Sequence, residues 1–195
     1  MYTPVQNVGP TQQGASVGQN TFTTVRGLVV GGSGAAWNTF NYPTMYGAFT
    51  AGTAIEITAW GRFSTTGTPT VILGLYRNTT INDPVTTSPE VLAVSTAKTM
   101  TTGATNWEWH CVYRGRVQTN GTITTGGAII GSGEWAFGTS LTAWTEVRWP
   151  ETAPAAVAIN TTVNSAFAIG WTWSASSGSN DVSCHEMDVK ILPAV

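Results

Sequence analysis

Thr53-Ala54-Ile55-Glu56-Ile57-Thr58-Ala59-Trp60-Gly61-Arg62-Phe63 is the stretch that decides the fold class. Ile55, Ile57, Ala59 and Gly61 occupy every second place, with Ala54, Glu56, Thr58, Trp60 and Arg62 between them. A period of two puts one set on each face of an extended chain, the mark of a half-buried β-strand. The same grammar recurs outward from it. A turn at 65–68 leads to a second candidate strand at 70–77. Others follow at 21–30, 36–42, 91–96, 106–117, 128–130, 134–139, 143–149, 155–160, 166–174 and 181–192. Asn120-Gly121 signals a hairpin, because both residue types tolerate positive φ. No stretch carries a convincing 3.6-residue period. Closely spaced strands without helices between them predict an all-β, antiparallel β-sandwich of jelly-roll type, with eight or more strands in two sheets.

At 195 residues the chain suits one domain, residues 21–195, preceded by an extended arm over 1–20. Hydrophobic residues make up 42% of it, enough for a substantial core, whereas only 9% are charged. The eight Lys and Arg residues are scattered, so no basic face exists to displace counterions from nucleic acid, and none is expected as a partner. The arm is polar and lacks the basic start and apolar centre of a signal peptide, and no later segment is apolar enough to span a bilayer. The expectation is a soluble protein made without export, with no membrane partner. An arm without periodicity also needs something to hold it, either its own domain or a partner.

Candidate chemistry is sparse. His110-Cys111 and Cys184-His185 are four potential zinc ligands in two pairs. Neighbours on a strand point to opposite faces, so each pair offers one ligand to a side. Parity assigns Trp107, Trp109, Cys111 and Tyr113 to the core face and His110 to the outside. In the last strand it assigns His185, Met187, Val189 and Ile191 to the core face and Cys184 to the outside. No metal site, cofactor or disulfide framework is expected. Glu186 and Asp188 share a strand face and are the one pair with a spacing that glycoside hydrolysis could use; an ordinary polar face is the simpler expectation. Gly31-Gly32-Ser33-Gly34 lacks the following helix and lysine of a phosphate loop and reads as a turn. The sequons at Asn78, Asn120 and Asn160 read as turn chemistry. No catalytic residue is assigned, and the protein is expected not to be an enzyme.

Nine tryptophans are the stronger signal. Trp60, Trp135, Trp144 and Trp149 stand where alternation could expose them, and exposed Trp marks either a covered interface or a surface for stacking sugar rings.

Residues 49–64 (FTAGTAIEITAWGRFS), continuing through 65–76, 107–122, 166–174 and 182–192, resemble the single-domain jelly-roll structural proteins of tailed bacteriophages. The resemblance covers about three quarters of the chain, in strand order and turn composition. It implies a virion protein of the capsid decoration, head-fibre or minor tail type, made in the bacterial cytoplasm and often trimeric, with no catalytic residues to carry over. The expected function is therefore a capsid decoration protein that self-associates, as a homotrimer, and binds the major capsid protein. Its expected contacts are Tyr2, Pro4, Val5, Val8 and Pro10 of the arm, with Trp144 and Trp149. The alternative is a tail or fibre module that binds host-surface glycans through Trp60 and Trp135.

Overall fold

The computed structural model describes residues 6–7, 20–28, 40–42, 50–78, 89–140, 142–163, 165–192 and 194. The arm residues Tyr2, Pro4, Val5, Val8 and Pro10, the turn at 31–34, and the parts of the first two candidate strands at 29–30 and 36–39 lie outside them.

Among the described residues thirteen strands follow in chain order. They are β1 (Gln6–Asn7), β2 (Arg26–Gly27), β3 (Phe40–Tyr42), β4 (Ala54–Ser64), β5 (Thr70–Asn78), β6 (Glu90–Val94), β7 (Lys98–Thr99), β8 (Trp107–Thr119), β9 (Ala128–Gly138), β10 (Trp144–Trp149), β11 (Val157–Ala158), β12 (Ser165–Trp173) and β13 (Asp181–Leu192). The large sheet runs β1-β13-β4-β8-β9-β10, with β11 on β9; the small sheet runs β2-β12-β5-β6, with β3 on β12 and β7 on β5. Every pairing is antiparallel. The expected antiparallel β-sandwich is what the chain forms. Successive strands β8, β9 and β10 form a meander within one sheet, while β4 to β5 and β12 to β13 cross between sheets. This order establishes the sandwich rather than the finer jelly-roll connection. Gln6 and Asn7 pair with Ile191 and Lys190 of β13, so this part of the arm returns to its own domain.

Alternation sets the core. In β4, Ile55, Ile57, Ala59 and Phe63 are buried, while Trp60 and Arg62 face outward. From β8, Trp109, Cys111, Tyr113 and Val117 enter the same core. The small sheet answers with Val71, Leu73, Leu75, Phe167, Ile169, Trp171 and Trp173. Glycines admit the largest rings. Gly115 and Gly131 are opposite each other, and a Cβ on Gly131 would stand 2.3 Å from the Tyr113 hydroxyl. Across the small sheet, Gly74 and Gly170 are likewise paired beneath the ring of Tyr76. An aromatic ring lying over paired glycines restores the contact their missing side chains forgo.

Three sequence expectations need correction. Residues 128–138 form one strand, β9, rather than two, because Gly131 and Gly133 sit beneath Tyr113 and its backbone instead of turning. Val157–Ala158 and Arg26–Gly27 are far shorter than the candidate strands that contain them. Cys184 is buried and His185 is not, the reverse of the assignment by parity. The register of β13 shifts between Cys184 and Glu186: Cys184 faces Gly61 and Glu186 faces Trp60. This bulge inserts His185 as an unpaired residue and moves every later side chain by one place. Val182 and Cys184 therefore join Met187, Val189 and Ile191 inside. Both cysteines are free thiols in the core. Burial pushes the Cys111 thiol up to about 12 and raises that of Cys184 as well, so neither is poised to ionise.

Candidate functional site

The tryptophans named from sequence divide between the two faces of the large sheet. Trp135 pairs with Cys111 and Trp149 with Gly133, both on the inward face, and each is wholly buried. Their expected exposure is thus corrected. On β10, Trp144 and Trp149 are five residues apart, and a period of two must send them to opposite sides. Trp60 and Trp144 do face outward, at 37% and 45% exposure.

These two rings belong to an aromatic row across the outer face. The His185 ring stacks on Trp60, with centroids 4.9 Å apart and planes within 7°. Adjacent strands lie about 4.8 Å apart, so two parallel rings at this separation stand side by side on neighbouring strands. The bulge supplies His185 to this face. Glu186, opposite Trp60, accepts the indole N–H at 3.0 Å and fixes the ring. On the other side of Trp60, His110 stands directly opposite on β8. Trp144 reaches His110 at 5.3 Å across the small residues Ala136 and Gly138 of β9. Strand parity foretold Trp60, His110 and Trp144 on this face. His185 was missed, although the apolar residues of β13 do switch from even positions (Val182, Cys184) to odd ones (Met187, Val189, Ile191).

Below the aromatic row the face is charged. Glu56 pairs with Arg114 at 2.6 Å and Lys190 at 3.3 Å, and Lys190 lies 3.6 Å from Asp188. Glu186 and Asp188 do share the outer face, and each is engaged by a neighbour, Trp60 and Lys190 respectively. Among the described residues no three His, Cys, Asp or Glu side chains group closely enough to hold a metal ion. No family model matches this chain, and neither the curated proteins nor the solved structures yield a match. The outer face is therefore interpreted from its own geometry.

That geometry carries a pH signature. Burial, and next the Arg62 cation, hold His185 below its ordinary 6.5. The unfolded chain then takes up this proton first as pH falls. The stability contributed by neutral His185 is complete above pH 6.5 and is lost as pH falls toward the lowered folded value. Glu56 has the same sign at lower pH: the Arg114 hydrogen bond, ahead of an opposing burial effect, holds its carboxyl below 4.5. Asp181 runs oppositely, because burial raises it above 3.8, and its contribution is lost as pH rises through the folded value. The melting temperature should fall between about pH 7 and pH 5, and fall less in His185→Gln. Identical slopes for the two proteins, read by tryptophan fluorescence, would refute this role for His185.

Proposed function

We propose that this chain is a non-enzymatic virion structural protein, a capsid decoration protein that self-associates and binds the major capsid protein. The observation that carries this reading is the aromatic row of His185, Trp60, His110 and Trp144 on the outer sheet face. Large rings presented by rigid strands lose little conformational freedom on contact, which suits them to anchor a protein partner. The resemblance to phage jelly-roll proteins and the sparse charge of the chain support the same conclusion. A protein that binds only the assembled shell stabilises it by mass action.

Glycan binding through Trp60 and Trp135 is less well supported by this geometry. Trp135 is in the core, and one face of Trp60 is already covered by His185. Sugar stacking needs an open ring face.

Mixing the purified protein with bare capsids of the phage that carries it tests the proposal. Saturable binding is expected, with Trp60→Ala/Trp144→Ala weakened by roughly thirtyfold or more, the effect of losing an interface anchor. Light scattering should show a trimer. Absence of binding at saturating protein, or full binding by the double variant, would defeat the proposal.

A further inference from the structure

We propose that a cleft on the same sheet, between β8, β9, β10 and the segment 150–154, binds a sugar acid: a hydroxylated ligand with a single carboxylate. The cleft has a volume of about 530 Å³, inside the roughly 300–1,000 Å³ range of small-molecule sites. Its floor is two rows of the register. Arg114 lies opposite Ser132, and Glu134 lies between Val112 and Arg148. Its wall begins at Pro150, immediately after β10, and continues through Glu151 to Pro154.

The wall is held in place before any ligand arrives. Glu151 accepts from the Thr96 amide at 2.6 Å, the Thr96 hydroxyl at 2.9 Å and the Lys98 ammonium at 2.6 Å. Burial draws its carboxyl upward, but these bonds outweigh burial and hold it below the usual range. Glu151 is thus a neutralised anchor that ties the wall to the other sheet.

The cations of the cleft are differently placed. Arg114 gives only its Nε to Glu56, which leaves its two terminal nitrogens without a bond among the described residues. Arg148 stands opposite Glu134, yet neither side chain forms a hydrogen bond or ion pair among the described residues. Two arginines with donors to offer therefore line one cleft. A guanidinium matches a carboxylate with paired N–H bonds. Glu134 and the Ser132 hydroxyl can bond sugar hydroxyls, and the rings of Pro150 and Pro154 offer an apolar side to its C–H face. Glu134 also selects on charge, since a doubly charged phosphate beside it is repelled more than a single carboxylate.

The site is independent of the decoration role, because a chain that fails to bind capsids would still bind this ligand. Calorimetric titration with a glucuronic-acid disaccharide tests it, alongside a neutral disaccharide and inorganic phosphate. The acid should bind saturably and at least roughly tenfold more tightly than either control, and Arg148→Gln should weaken it by about tenfold. Arg148→Lys, which keeps the charge and loses the fork, should fall between. Circular dichroism confirms that these surface variants are folded. Absence of saturable binding, equal binding of either control, or unchanged affinity in Arg148→Gln would each overturn the assignment.

Discussion

Replacing Glu90 with alanine should cost about 3–5 kcal/mol of stability, the usual result of stripping a buried charge of its counter-charge. Arg77 is completely buried, near the end of β5 on the inward face, and Glu90 faces it in register from β6. One oxygen of Glu90 pairs with the Arg77 guanidinium, which also donates to the Asn160 carbonyl. The other oxygen accepts the Asn160 amide at 2.9 Å. One carboxylate thus joins two strands and the loop after β11. Folded domains hold only about 5–15 kcal/mol in total, so this substitution removes a large share of it. The measurement is a urea midpoint at unchanged m-value. Replacing both partners, as Arg77→Met/Glu90→Leu, should recover most of the loss, because an apolar pair has no charge to desolvate. A single-variant cost below about 1 kcal/mol would show that the pair is not the tie described.

This pair marks where sequence reading reaches its limit. Alternation in residues 53–63 and 106–117 predicted which side chains of β4 and β8 enter the core, because each strand keeps a single period along its length. A period says nothing about which residue on another strand will stand opposite. Arg77 and Glu90, thirteen positions apart at two strand ends, therefore could not be matched from periodicity. The bulge at His185 defeated parity in another way, by changing the phase within one strand. Trp135 and Trp149 were misplaced because each was considered alone, although a period of two cannot put both Trp144 and Trp149 on the outer face. In the fold Trp135 of β9 and Trp149 of β10 both turn inward, and Gly133 of β9 stands opposite Trp149. On the outer face, Trp60 and Trp144 were legible from parity alone. The cleft was not, since its wall at 150–154 is tied down by Glu151 bonding across to the other sheet, a pairing no period reveals.

Trp171→Ala should destabilise the fold by about 3–5 kcal/mol, at the upper end for core truncations. Trp171 projects from the small sheet into the aromatic centre of the sandwich and is completely buried. Its ring meets Phe63 of β4 at 6.4 Å, Trp109 of β8 at 5.7 Å, Trp135 of β9 at 6.1 Å and Trp173 of its own strand at 5.3 Å. Three of these four partners belong to the opposite sheet, so Trp171 is the ring that joins the two layers. Removing it subtracts buried apolar area and opens a cavity between walls held rigid by their own ladders, which cannot collapse to fill it. Trp171→Phe should cost less, because it keeps an aromatic ring in place, and the indole N–H that it deletes has no hydrogen-bond partner among the described residues. Trp60→Ala, with its ring on the outer face, should change stability by no more than about 1 kcal/mol. Thermal and urea unfolding of the three variants should therefore rank Trp171→Ala lowest, Trp171→Phe next and Trp60→Ala closest to the parent. If Trp60→Ala proved as damaging as Trp171→Ala, the outer aromatic row would be part of the fold's own support rather than a surface for a partner.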